Sequence, residues 1–239
     1  MHIIGHRGAR GEYPENTLIG FEAACNAGVD GIELDLRLSA DEQPMVIHDA
    51  NAQRTTGVNA DIETATAQEL AALNAASRYE NCPFQSIPTI YQVLAQIPAL
   101  RDIQLEIKPV SSAQLDAITR RIDRLFHDDD LFARAWVTSF DRRVLRAIAD
   151  LEPRIRLGYL YEEPEHDPVS AAQALTAQLL APHYSLVDQG LVADAHRAGL
   201  TVSVWTVNDM AEANRLESLG VDSIITDYPT MICQRFKEG

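Results

Sequence analysis

Lysine is almost missing from this chain. Only Lys108 and Lys237 occur, so arginine supplies nearly all of the 20 basic residues, which face 35 acids for a net charge of −15. Such a surface repels phosphate backbones and anionic membranes, so neither nucleic acid nor a membrane is an expected partner. A small anion held in a local positive pocket is still allowed. No run approaches the roughly 18 consecutive apolar residues of a membrane helix. The opening Met1-His2-Ile3-Ile4-Gly5-His6 reads as a strand, not a secretory leader. The 3 cysteines, Cys25, Cys82 and Cys233, are scattered and odd in number. They form neither a disulfide framework nor a zinc cluster, which makes the cytoplasm the expected compartment. Cys25 falls in a helical pattern and reads as a small buried hydrophobe. A dinucleotide fingerprint is missing too, because Gly5, Gly8 and Gly11 are spaced G-x-x-G-x-x-G. There is no low-complexity tract, internal repeat or long linker. The 239 residues therefore read as one domain with a sizeable core.

What the chain has is alternation. Predicted strands at His2–His6, Gly31–Leu38, Met45–His48, Ile103–Lys108, Trp136–Ser139, Arg156–Tyr161, Gln178–Ala181, Thr201–Thr206 and Ser223–Thr226 are separated by patterns of helical period. Leu115, Ile118, Ile122, Leu125 and Phe126 share one helix face, as do Val144, Leu145, Ile148 and Leu151. Gly199 and Gly220 stand where helices over 191–198 and 210–219 should end. Strand-helix alternation of this kind and length predicts a (β/α)8 TIM barrel, with an open doubly wound sheet as the alternative. One stretch, about 49–88, breaks the rhythm and holds one helix, opened by the capping-box pair Thr66 and Glu69. It reads as a small insertion after the second strand region of a single domain spanning 1–239.

Side chains alternate faces along a strand. In Gly31–Leu38 the apolar face is Ile32, Leu34, Leu36 and Leu38, and the other is Glu33, Asp35 and Arg37. Ile103, Leu105 and Ile107 likewise oppose Gln104, Glu106 and Lys108, and Val202 and Val204 oppose Ser203 and Trp205. The plain alternative is the solvated face of an antiparallel sheet. The intervening helices argue against it, since a barrel strand has no solvated face. Glu33, Asp35 and Glu106 then point into the barrel, where buried carboxylates need a counter-charge or a metal. Three hard oxygen donors suit one divalent cation, Mg²⁺ or Ca²⁺. His6 and His48 close their strands beside this cluster and become acid/base candidates. Arg7 presents a planar fork suited to phosphate. Lys108 shares the inner face with Glu106, where the simpler reading is a salt bridge. His183 follows a strand within reach of the rim, and the other histidines read as surface residues.

The run His6-Arg7-Gly8-Ala9-Arg10-Gly11-Glu12-Tyr13-Pro14-Glu15-Asn16-Thr17 resembles the opening of the glycerophosphodiester phosphodiesterase family. So do Gly31–Leu36, Val46–Asp49, Arg54–Gly57, Ile87–Thr89, Glu106–Lys108, Trp205–Asn208 and Gly220–Pro229, in the family's order from end to end. The resemblance implies a (β/α)8 barrel with an insertion after the second histidine. It implies His6 and His48 as the general acid/base pair, and Glu33, Asp35 and Glu106 as ligands of one divalent cation. Arg7 and Lys108 become phosphate contacts, and Trp205 a wall of the substrate pocket; His183 joins them as a substrate-binding candidate. Asn16 would cap the first helix. The implied reaction is hydrolysis of a glycerophosphodiester to sn-glycerol 3-phosphate and an alcohol through a cyclic phosphate, in the cytosolic bacterial branch of the family. A lysolipid substrate would call for an exposed apolar rim, which the 6% aromatic content does not favour. A non-catalytic binding module would be expected to have lost one of the five central residues, and all five stand.

Overall fold

The structure, a computed structural model, describes residues 1–237. Its strands are β1 (His2–His6), β2 (Gly31–Leu38), β3 (Pro44–Val46), β4 (Asp102–Ile107), β5 (Ala135–Ser139), β6 (Leu157–Tyr161), β7 (Leu179–Pro182), β8 (Thr201–Val204) and β9 (Ser223–Thr226). All but β3 pair in parallel around one ring, and β1 closes it by pairing with both β2 and β9. Helices α1 (Leu18–Ala27), α4 (Ile90–Gln96), α5 (Leu115–Asp128), α6 (Arg142–Leu151), α7 (Pro168–Ala174), α8 (Gln189–Arg197), α9 (Met210–Leu219) and α10 (Pro229–Lys237) stand between the strands. This is the expected (β/α)8 barrel. Among the described residues no helix is long and apolar enough to cross a membrane.

Two faces of each strand hold the ring together. Ile32, Leu34, Leu36 and Leu38 turn outward and are fully or almost fully buried, in one core with Ile118, Ile122, Leu125 and Phe126 of α5 and Val144, Leu145 and Ile148 of α6. That burial is the main stabilising term of the fold, at about 25 cal/mol per Å² of apolar surface removed from water. The inner face is polar at depth, and its side chains bond one another. Gln104 donates to Ser203 Oγ at 3.1 Å, and Ser223 donates to the same hydroxyl at 2.8 Å. Parallel register then sets what lies level higher up: His6 is opposite Glu33, and Asp35 opposite Glu106.

The structure corrects the reading of Met45–His48. The strand there ends at Val46 and runs antiparallel to β2, with Leu36 opposite Val46 and Leu38 opposite Pro44. It is a hairpin outside the ring, so His48 does not close a barrel strand. The predicted Thr201–Thr206 strand stops at Val204, and Trp205 makes only an isolated bridge to His183. After β3 the chain makes its excursion, which contains two short helices, α2 (Gln53–Thr56) and α3 (Ala67–Ala71). Thr66 and Glu69 form the capping box of α3, each bonding the other's backbone N–H at 2.8–3.3 Å. The excursion has its own small apolar cluster, Met45, Ile47, Ala52, Ile62, Leu70, Ala75 and Ile87.

Candidate active site

A cavity of about 540 Å³ opens at the C-terminal end of the barrel strands. Its ionic half is built by the ends of β1, β2 and β4 and by the segment after β3. Immediately after β1, Arg7 takes a left-handed backbone conformation (φ 48°) and Gly8 follows at φ 85°. A β-carbon on Gly8 would lie 2.6 Å from the Gly20 backbone, so only glycine lets this turn sit against α1. Holding a non-glycine residue at positive φ costs on the order of 1 kcal/mol. Two bonds hold Arg7 there: its amide donates to Glu33 Oε2 and its carbonyl accepts from the Asn16 amide, each at 3.0 Å.

Three buried carboxylates meet under this turn. One oxygen each of Glu33, Asp35 and Glu106 lies within 4.8 Å of the others. Burial, then the charges of Asp35 and Glu106, push Glu33 well above the usual carboxylate range. Burial, then the charge of Asp35, push Glu106 up to about 7. Asp35 goes the other way: burial opposes its ionisation, but the Arg7 and Lys108 charges hold it down. Arg7 Nε is 3.1 Å from Asp35, and Lys108 Nζ is 2.5 Å from Glu106 and 3.4 Å from Asp35. Lys108 therefore makes its salt bridge inside the site. Glu33 Oε1 is buried without a hydrogen-bond partner. Hard oxygen donors, crowded enough to resist full ionisation and with Glu33 Oε1 and Asp35 Oδ1 both lacking a hydrogen-bond donor, fit a single divalent cation.

Each histidine is oriented by a carboxylate. His6 Nδ1 lies 2.6 Å from Asp227 Oδ1, and His48 Nδ1 lies 2.7 Å from Asp49 Oδ1. A carboxylate only accepts, so Nδ1 carries the proton and the neutral ring keeps Nε2 bare. His6 Nε2 points toward the carboxylates, 3.8 Å from Glu33. Burial lowers both imidazoles below their ordinary range, against the raising effect of these acids. Burial works against Asp227 as well, yet the bond to His6 holds it at about 2. His48 reaches the cavity through the hairpin: the Ile47 amide donates to Asp35 O at 3.1 Å, and Arg37 Nε donates to the His48 carbonyl at 2.8 Å.

Glu15 ties the layers together. Arg54 donates to both its oxygens at 2.7 Å, Arg7 donates at 3.0 Å, and Arg10 Nε is 3.4 Å away. Arg54 Nε also donates to Asp49 at 2.5 Å. Asn16 is not the cap of α1; Thr17 is, accepting from the Gly20 amide at 3.2 Å. Asn16 instead adopts φ 55° and donates to Asp35 Oδ2 at 2.7 Å. Its side chain serves the carboxylate cluster directly.

The cavity thus brings together His6, Arg7, Glu33, His48, Glu106, Lys108 and, on the far wall, Trp205. Asp35 lies beneath, fully buried. His183 is not on the cavity lining; its Nδ1 is 2.8 Å from Ser185 Oγ, and its ring packs edge-on to Trp205. Asp227, Asp49 and Arg10 were not singled out from sequence. For Asp227 the sequence offers its place in the matching segment Gly220–Pro229 and its position directly after a strand, where barrel sites are built.

The sequence profile of the Glycerophosphoryl diester phosphodiesterase family matches residues 6–231. A glycerophosphodiester phosphodiesterase of Caldanaerobacter subterraneus is 30% identical over 99% of this chain and 98% of its own. One from Bacillus altitudinis is 31% identical over 95% of this chain and 94% of its own. The phosphodiesterase of Oleispira antarctica, solved in complex with the product sn-glycerol-3-phosphate, superposes with a TM-score of 0.87. That pair is 26% identical, over 99% of this chain and 97% of the other. With the closed barrel, the carboxylate cluster and the paired histidines at one mouth, these matches place the chain in the glycerophosphoryl diester phosphodiesterase family of enzymes, which hydrolyse glycerophosphodiesters.

Proposed function

We propose that this protein hydrolyses glycerophosphodiesters to sn-glycerol 3-phosphate and an alcohol, with His6 and His48 as its general acid and base. The observation that carries the reading is the pair of imidazoles, each with Nδ1 fixed by a carboxylate, facing one cavity with Arg7, Lys108 and the carboxylate cluster. Glu33, Asp35 and Glu106 would hold one divalent cation, Mg²⁺ or Ca²⁺, which would supply Lewis-acid polarisation and lower the pKa of a hydroxyl. Arg7 and Lys108 hold the phosphate by charge-assisted hydrogen bonds. One bare Nε2 takes the proton of the glycerol 2-hydroxyl, whose oxygen bonds to phosphorus. The bond from phosphorus to the alcohol oxygen breaks, and the protonated imidazole opposite gives that oxygen its proton. Water then opens the cyclic phosphate with the two rings exchanging roles, so both return to their starting state. The three free thiols support a reducing, cytoplasmic setting.

The test is direct. Glycerophosphocholine, with any glycerol 3-phosphate coupled to its dehydrogenase, should give turnover; a lysolipid run beside it should give little. General acid/base transfer contributes ~10²–10⁴-fold, so His6→Ala and His48→Ala should each lose about that much kcat. Near wild-type turnover in either variant, with an unchanged melting temperature, removes that histidine from the reaction.

A further inference from the structure

The cavity has a second half that the chemistry above does not use. Phe140 after β5, Leu160 in β6 and Trp205 after β8 make it apolar. The Phe140 and Trp205 rings meet edge to face, with centroids 5.5 Å apart at 90°. The Trp205 indole N–H donates to Ala181 O at 2.9 Å, which fixes the ring and satisfies its polar edge. Glu162, the first residue beyond β6 and two positions after Leu160, lines the same cavity and is exposed to solvent. Among the described residues no base pairs with it. Its neighbour Glu165, by contrast, is taken by Arg142 and by the Tyr159 hydroxyl. A free carboxylate in a cavity that two aromatic rings also line is a recognition element for an organic cation, because ring faces and the carboxylate both attract positive charge.

Distance connects the two halves. Lys108 Nζ lies 6.0 Å from the Phe140 centroid, so a phosphate held by Lys108 is one short tether from the aromatic pair. We infer that this half-cavity receives the departing alcohol, and that Glu162 with Trp205 and Phe140 selects an ammonium-bearing alcohol over a neutral polyol. The inference rests on the reaction proposed above and names its specificity residue.

The experiment compares kcat/KM of the metal-loaded enzyme for glycerophosphocholine, glycerophosphoethanolamine and glycerophosphoglycerol. The wild type should favour the two ammonium substrates about fivefold or more, a gap that added salt narrows because the carboxylate is exposed. Glu162→Gln should bring the three substrates level by raising KM for the ammonium pair, with glycerophosphoglycerol unchanged. Glu162→Asp should restore much of the preference. Free choline should inhibit the wild type competitively and Glu162→Gln several-fold less, whereas glycerol should distinguish the two forms little. An active wild type without head-group preference overturns this inference alone, as does an equal loss for all three substrates in Glu162→Gln. Failure to hydrolyse any glycerophosphodiester overturns the underlying reaction as well.

Discussion

An imidazole with Nδ1 given to a carboxylate has its tautomer chosen and its protonated form stabilised before substrate arrives. Asp227 does this for His6 at 2.6 Å, and is itself held by Asn208 Nδ2 at 2.7 Å and by Arg10 at 3.1 Å. If His6 is one of the acid/base pair, Asp227→Asn should therefore lower kcat by roughly 10–100-fold with little change in KM, by analogy with the partners of metal-bound histidines. Unchanged kcat in that variant would show that His6 needs no orienting acid. The limb of the pH–rate profile that His6 sets, acidic if it is the base and basic if it is the acid, should also move to lower pH, which a merely structural role would not do. The sequence exposes Glu33, Asp35 and Glu106 through the two-residue alternation of their strands. It does not expose Asp227, whose partner lies 221 positions away in the chain. Nor does it separate Asn16 from Thr17. Both are cap-forming types, and only the left-handed turn at Asn16 assigns the cap to its neighbour.

The turn after β1 and the excursion after β3 are joined through Glu15. Burial resists its charge, but Arg54 and Arg7 hold its carboxyl at about 2, below the ordinary 4.5. A depressed carboxyl adds stability that is complete above the ordinary value and fades as pH falls toward the lowered one. Because Arg54 is half exposed, solvent screening trims that contribution to on the order of 2 kcal/mol. Glu15→Gln should thus lower the urea midpoint at pH 7, and the gap to wild type should shrink when both are measured near pH 3. A gap that does not depend on pH would remove the ion pairs from the account. The excursion also stands on its own small core. Leu70→Ala should cost ~2–5 kcal/mol there. It should speed hydrogen exchange in residues 47–87 more than in β4 and β5, and lower kcat through His48. Uniform exchange would mean the cluster is not a separate unit. This region was the least legible in sequence. A three-residue apolar run such as Met45–Ile47 does not distinguish a barrel strand from a hairpin arm, and the antiparallel pairing to β2 is a tertiary outcome.

Across the whole molecule, the ring of parallel strands converts a one-dimensional alternation into a single ionic mouth. Apolar side chains go to the helices, and the remaining face of β2 and β4 turns inward at matched height. The barrel was legible because strand and helix periods are local. The polarity of its mouth was partly so, because the β2 and β4 carboxylates are visible while the apolar wall of Phe140, Leu160 and Trp205 is assembled from three distant segments. The net charge of −15 makes local clustering of Arg7, Lys108 and Arg10 at that mouth more consequential, since an anionic substrate finds little attraction elsewhere. On the proposed reaction, Glu33, Asp35 and Glu106 share one divalent cation that activity requires. Calorimetric titration of EDTA-treated, dialysed protein with Mg²⁺ and with Ca²⁺, followed by assay of the same samples, tests it most directly. One ion should bind per chain, with activity restored in step with binding and both weakened together in Glu33→Gln and Glu106→Gln. Full activity in the dialysed protein with EDTA present, or undiminished binding in both variants, would contradict it.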